Sequence, residues 1–341
     1  MKTLIKLLLL LFIVVGNTFS QAVKDVSKKG TVAAPFLSIS QGARATAMGS
    51  AFVSISDDAS AMYWNPAGLA KLQGSGAMFD RTSWFADVNY NFVSGYINLG
   101  DMGTLGLSFT SSEYGDMKVT TIERPEGTGE LFSATDAVFA VSYAMNLTDN
   151  FAIGFTPKIV YQSIWKMTAS AIALDLGVQY VTPFDGIVLG MSISNFGTKM
   201  RLSGTSNLVL LDLDQTTSGN NDKIPGNIQT DDWALPLNFR VGLGYSFHIT
   251  DENKVTVALD ALHPSDNFES INVGAEYGYN DFLFLRGGYK SLFLESTEES
   301  FALGFGVKQA LLNNLALKFD YAYQNFGRLT SIQKFTVGVV F

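Results

Sequence analysis

Cysteine is absent from all 341 residues. That excludes disulfides, a lipidated N-terminal cysteine and thiolate metal sites. Histidine is scarce, with His248 and His263 the two present. Lys and Arg (23) are outnumbered by Asp and Glu (31), for a formal net charge of −8. So acidic a chain is a poor partner for nucleic acid, whose phosphates are held mainly by cations. Long apolar runs are missing too: the N-terminal stretch from Leu4 to Val15 is shorter than the ~20 residues that carry a helix across a bilayer. No later run approaches that length, although 47% of the residues are hydrophobic and mean hydropathy is +0.18.

The first residues have a layout of their own. Met1 and Lys2 precede an apolar stretch from Leu7 to Val15, followed by Gly16, Asn17 and the small-residue pattern Thr18-Phe19-Ser20. This is the order of a secretory signal peptide, so residues 1–20 are expected to be cleaved before Gln21, or alternatively before Val23. Loss of Lys2 and Lys6 with it would leave the exported chain more acidic still.

High average apolarity without continuous runs fits a transmembrane β-barrel, whose strands alternate lipid-facing apolar residues with small or polar lumen-facing ones. Between Leu237 and His248, Leu237, Phe239, Val241, Leu243, Tyr245 and Phe247 share one face, and Asn238, Arg240, Gly242, Gly244, Ser246 and His248 share the other. The same split sets Ile172, Leu174, Leu176, Val178 and Tyr180 against Ala173, Asp175, Gly177 and Gln179. It recurs with Leu315, Leu317, Phe319, Tyr321 and Tyr323 against Ala316, Lys318, Asp320, Ala322 and Gln324. A period of two belongs to a strand and not to an amphipathic helix. Read throughout, the chain gives about fourteen strands, an even number as bacterial barrels require. They fall near 74–84, 88–99, 103–112, 135–146, 151–162, 169–181, 187–196, 236–248, 254–262, 268–278, 281–290, 300–310, 315–325 and 331–341.

The connections test this count, because a membrane barrel alternates short periplasmic turns with longer outer loops. Every second connection is compact: Gly100-Asp101-Met102-Gly103, Leu147-Thr148-Asp149-Asn150, Pro183-Phe184-Asp185-Gly186, Thr250 to Asn253, Tyr279-Asn280-Asp281, and Leu312-Asn313-Asn314. The intervening set holds the two longest, 113–134 and 197–235. Both chain ends are thereby expected on the periplasmic side. Aromatic residues near strand ends (Trp84, Tyr90, Tyr161, Trp165, Tyr180, Tyr245, Tyr277, Tyr289) are expected at the headgroup level. In the last strand Phe335, Val337, Val339 and the terminal Phe341 share one face, a pattern resembling the C-terminal signal read by the barrel-assembly machinery. The expected class is therefore an all-β, antiparallel transmembrane barrel in the outer membrane of a Gram-negative bacterium. The alternative, a soluble sandwich or propeller, would have to bury aromatic faces on nearly every strand.

Residues 21–73, between signal peptide and barrel (74–341), read differently. Gln41 to Gly49 (QGARATAMG) reads as a short helix ended by glycine, and Asp57-Asp58 opens a second helical turn running to Trp64. Pro66 keeps Asn65 from being helical. So small a segment must dock on something larger, and the lumen is the available place. The string from Pro35 to Ala70 (PFLSISQGARATAMGSAFVSISDDASAMYWNPAGLA) resembles the N-terminal signature of the PorV/PorQ family, which belongs with the FadL-like long-chain fatty acid transporters. The resemblance implies an N-terminal hatch folded inside the barrel, with Asn65, Pro66, Ala67 and Gly68 as its gate motif. It also implies two functions. PorV-like members work with the type IX secretion machinery on exported cargo, whereas FadL-like members pass hydrophobic small molecules inward.

Enzymatic chemistry finds little support in the residues. Ser246 and His248 share the inward face but have no third partner, and His263 precedes Pro264 in a loop. Asp212-Leu213-Asp214 resembles the opening of a calcium loop, yet Thr217 and Lys223 stand where its glycine and glutamate belong. No metal or other cofactor is expected. Lumen-facing charges (Arg240, Asp260, Glu276, Arg286, Lys308, Lys318, Asp320) fit plug contacts better than an open ion path. Glycines in Gly242-Leu243-Gly244 and Gly304-Phe305-Gly306 lie within strands, where they allow close approach of the hatch and do not form a phosphate loop. Expected partners are outer-membrane lipid, the assembly machinery, and either secretion components with their cargo or a hydrophobic small molecule.

Loop parity makes a topological prediction. A protease or epitope site placed in 113–134 or 205–225 should be reachable on intact cells, and a tag in the 183–186 turn should be shielded. The reverse pattern would mean a strand count off by one.

Overall fold

The computed structural model describes residues 27–184, 186–212, 216, 223–295, 297–312 and 315–341. The expected signal peptide lies outside them, as do Asp185, Leu213, Asp214, Thr217, Asn313 and Asn314 among the residues named above. Within the described residues, fourteen long strands form one antiparallel sheet. They are β1 (Ser75–Ser83), β2 (Asn89–Asn98), β3 (Thr104–Glu113), β4 (Ala134–Thr148), β5 (Phe151–Ile164), β6 (Met167–Val181) and β7 (Ile187–Gly197) in the first half. The second half comprises β8 (Asn238–Thr250), β9 (Asn253–Pro264), β10 (Ser270–Tyr279), β11 (Leu283–Leu292), β12 (Phe301–Leu312), β13 (Leu315–Asn325) and β14 (Ser331–Val340). Each strand pairs with the next in sequence, and β14 returns to β1, so the sheet closes. Every strand end lies within two residues of the position read from the sequence.

Closure follows from the alternation. Phe239, Leu243, Tyr245 and Phe247 of β8 point outward and are exposed, whereas Arg240 between them is buried in the interior. In β6, Ile172 and Leu176 face out while Ala171, Ala173, Asp175 and Gln179 face in. A continuous apolar outer wall suits acyl chains, and closing the sheet leaves no unpaired strand edge in lipid. No helix is long and apolar enough to cross a membrane.

The structure departs from the sequence reading in two places. Tyr161, Trp165, Tyr180, Tyr245, Tyr277 and Tyr289 are exposed, as an aromatic girdle requires, but Tyr90 is buried inside the barrel. Its strand parity puts it on the face of Phe92 and Tyr96, and half-buried Trp84 packs edge-on against it and against Phe326. The two longest connections also carry short ladders of their own, Met117–Lys118 with Leu131–Phe132 and Leu208–Leu211 with Ile224–Asn227. The described part of the plug segment begins among the long connections, where Ser27 hydrogen-bonds Asn267 (3.5 Å) and the Ala33 N–H donates to Ala234 O (2.8 Å), whereas Phe341 pairs with Ser75 at the compact-turn end; the expected side of the N-terminus lies outside the described residues.

At the seam Phe335 and Val337 face outward against Arg81 and Phe79 of β1, with Val339 opposite Ala77. The Phe341 N–H donates to Ser75 O (2.8 Å) and the Ser75 N–H to Phe341 O (2.7 Å). Phe341→Asp, or deletion of Phe341, is expected to leave export intact and sharply reduce the heat-modifiable folded form on gels. Normal migration of either variant would contradict a role for the terminal aromatic.

Candidate functional site: the lumen plug

The segment before β1 fills the lumen. A 3-10 turn at Pro35–Ser38 is followed by helix α1 (Ala43–Ala47), helix α2 (Ala61–Trp64) and a second 3-10 turn at Pro66–Lys71. Each is short because the sequence interrupts it. Gly49 takes a left-handed φ of 63° just past α1, a conformation open to glycine at little cost. The Asp58 carboxylate accepts the Ser60 N–H (2.8 Å) just before α2, and Pro66 holds Asn65 extended at φ −159°, ψ 102°. Gly42, Ala43, Ala47, Met48, Ala51, Phe52, Val53, Ala61, Ala67 and Leu69 are all buried, so the middle of the plug packs closely against the wall and the cavities lie at its two ends.

Asn65 is the joint of the gate motif. Its Nδ2 donates to Val53 O (2.8 Å) in the plug and to Val178 O (3.0 Å) in β6, and its Oδ1 accepts the Ala67 N–H (3.2 Å). The strands beneath make room for this turn. Gly154 of β5 and Gly177 of β6 face each other across the ladder; a Cβ on the first would lie 2.4 Å from the Pro66 carbonyl carbon, and one on the second 2.0 Å from Asn65 Oδ1. A second facing pair, Gly274 of β10 and Gly288 of β11, receives Met48 and Gly49 at similar range. Within the plug, a Cβ on Gly68 would meet the Ser56 carbonyl at 2.0 Å. Gly242 and Gly304 likewise sit beneath Val53 and Ala47.

Charge fastens what the glycines admit. Arg44 of α1 grips Glu276 of β10 with Nε and Nη2 (2.8 and 2.9 Å) and also bonds Asp57, with Asp58 at 3.6 Å. Glu276 in turn accepts from Arg286 Nε (2.6 Å), whose Nη1 reaches Asp320 of β13 (2.5 Å). Asp260 Oδ2 accepts both the Phe52 and Val53 N–H groups (2.7 and 2.9 Å). Four of the lumen charges picked from the sequence therefore hold the plug directly or through a neighbour. Lys308 and Lys318 instead stand opposite each other in the ladder and border a charged cavity of about 280 Å³ near the compact turns. Arg240 lies with its guanidinium carbon 5.6 and 5.2 Å from the ring centroids of Tyr63 and Trp64. Burial pushes the Tyr63 phenol up and the Lys71 ammonium down from their ordinary values.

Sequence reasoning missed several fasteners. Asp80 accepts the Gly42 N–H (3.1 Å), Thr336 Oγ1 accepts the Ala43 N–H (2.8 Å), and Lys334 donates to Ser40 O. Their inward parity was the available signal. Ser246 and His248 are not brought together as a reactive pair: Ser246 Oγ bonds Thr256 Oγ1 (2.9 Å). His263 meets Glu269 (2.9 Å) on the exposed surface. Among the described residues no cluster of His, Asp and Glu has a metal-binding arrangement.

A closed antiparallel barrel with an apolar outer wall and an N-terminal plug in its lumen defines a plugged barrel of the outer-membrane class. The chain belongs to the PorV family, whose sequence profile, described as type IX secretion system protein PorV, matches residues 22–206. No curated protein matches. Among solved structures, the toluene transporters TbuX of Ralstonia pickettii and TodX of Pseudomonas putida are each 15% identical, with a TM-score of 0.55 over 88% of this chain and 97% of theirs. The CymD monoaromatic hydrocarbon channel is 14% identical, with a TM-score of 0.54 over 88% of this chain and 96% of its own. At such identities the likeness is one of fold.

Two substitutions test how the plug is held. Glu276→Gln leaves Arg44 and Arg286 sharing an uncharged amide, a loss of about 3–5 kcal/mol if the pair behaves as other buried ion pairs do. Gly177→Val puts side-chain atoms where Asn65 sits. Both variants should keep a heat-modifiable barrel while raising protease cleavage within residues 27–74 and single-channel conductance; unchanged conductance in both would mean these contacts are dispensable.

Proposed function

We propose that this protein is a non-enzymatic outer-membrane barrel that takes part in type IX secretion or in surface attachment of exported proteins. The observation that carries the reading is the fastening of the plug: its backbone rests on facing glycines, and a chain of ion pairs ties it to β10, β11 and β13. A lumen filled in this way serves as a rigid base, and the long connections at one end are the surface left for a partner. In this reading those connections, 113–134 and 197–235, face outward and the compact turns face the periplasm. The matching profile's description, a type IX secretion protein, points the same way. No cofactor enters the proposal.

The second reading is uptake of a hydrophobic small molecule, with Asn65 to Gly68 as a gate. It rests on a recess beside the plug lined by Phe36, Leu37, Met62, Tyr63, Phe92 and Val138. That recess is about 40 Å³, whereas small-molecule pockets span roughly 300–1,000 Å³. Uptake through it would require the plug to move, against the contacts described above.

A paired assay separates the two. Shortening 113–134 or 197–235 should remove co-purifying secretion partners, while Pro66→Ala should leave them bound. If instead the loop deletions keep every partner and Pro66→Ala abolishes uptake of a hydrophobic compound, the transporter reading replaces this one.

A further inference from the structure

Arg44 and Arg286 are ion-paired with carboxylates, whereas Arg240 makes no ion pair within 4 Å among the described residues and feels the Asp260 carboxylate only from farther away. Its side chain is buried in the lumen, 5% exposed, and its Nε and Nη1 have no hydrogen-bond partner among the described residues. The guanidinium is held over the rings of Tyr63 and Trp64. Such stacking engages the face of the group, the Tyr63 phenol interacts with it as well, and Nε and Nη1 remain unengaged. Two neighbours are in the same condition. Ser192 of β7 pairs with Arg240 in the ladder, and its Oγ is buried without a partner. Asn238, two residues away on the same face, has an unpartnered Oδ1.

Arg240 and Asn238 border a cavity of about 310 Å³ at the long-connection end of the lumen, which Trp64, Lys290 and the carboxylates of Asp266, Glu298 and Glu299 also line. Lys290 is paired with Glu299 (2.6 Å) and Glu298 with Arg328, so of the cations lining this cavity Arg240 is the buried one with donors to spare. A buried guanidinium with free N–H groups is unfavourable alone and matches oxygen anions in both charge and geometry. We propose that this cavity is a binding site for an oxyanion, a carboxylate or a phosphate group, that enters from the long-connection end and is gripped by Arg240. The Asn238 amide can turn its NH₂ toward the ligand. The site is independent of whether the barrel serves secretion or uptake.

The test uses the folded full-length barrel in an uncharged detergent, titrated at constant ionic strength with inorganic phosphate, acetate or chloride, with tryptophan fluorescence as the readout. Trp64, beneath the guanidinium, supplies the signal. Phosphate or acetate should give a saturable change that chloride does not. Arg240→Gln should weaken it by about tenfold or more, as expected for loss of a charge-assisted contact, and Arg240→Lys should retain it. Asn238→Asp provides a check that survives any folding defect in Arg240→Gln: the new carboxylate should occupy the guanidinium, abolish the response and leave heat-modifiable migration unchanged. Saturation by phosphate alone would identify a phosphate source such as a lipid headgroup, and saturation by acetate alone a carboxylate. Lack of a saturable response to either anion, or wild-type titrations in both Arg240→Gln and Asn238→Asp, would overturn the proposal.

Discussion

The lumen contains irregular backbone, and such backbone must find hydrogen-bond partners wherever water is excluded. In this barrel the partners are strand side chains. Asp80 and Thr336 take the N–H groups of Gly42 and Ala43; Asp260 takes those of Phe52 and Val53. Asn272 and Gln179 donate to the carbonyls of Ser50 and Ser54, while Asn98 and Asn146 donate to those of Leu72 and Ala70. The inward face of the sheet is thus divided between two tasks. Glycine and alanine let the plug backbone come into contact, and Asp, Asn, Gln and Thr complete its hydrogen bonding. Large apolar residues collect mostly on the outer wall, and the few that point inward, such as Met78, Phe92 and Tyr96, pack against the apolar part of the plug.

The barrel was legible because a period of two records both strand and facing in the same residues. Strand β13 needed only Leu317 and Phe319 against Lys318 and Asp320 to be placed and oriented. Errors arose where a residue's position along the chain was read without its parity. Tyr90 sits near a strand end, but its side chain belongs to the interior set of Phe92 and Tyr96.

The plug was legible through the resemblance of residues 35–70 and through local signals such as Pro66 and Gly49. Its docking was not. The Lys334 contact with Ser40 and the Thr336 contact with Ala43 join residues 294 and 293 positions apart, and nothing local marks one for the other. Gly154 and Gly177 look like ordinary small strand residues until their ladder register brings them together beneath the Asn65-Pro66 turn. Likewise Glu276 and Arg286 read as lumen charges, while their sharing of Arg44 depends on where α1 comes to rest.

The plug touches both β1 and β14, the two strands that meet at the seam. Gly42 is bound by Asp80 on one side of that seam and Ala43 by Thr336 on the other, and Thr336 Oγ1 donates to Asp80 (2.6 Å) directly across it. Residues near the start of the described chain therefore reach their final partners only when the last strand arrives. Folding is consequently non-local in the extreme, which places it among slow topologies. Seating the plug and shutting the ring are thereby coupled, like a clasp that is fast only with its thread in place.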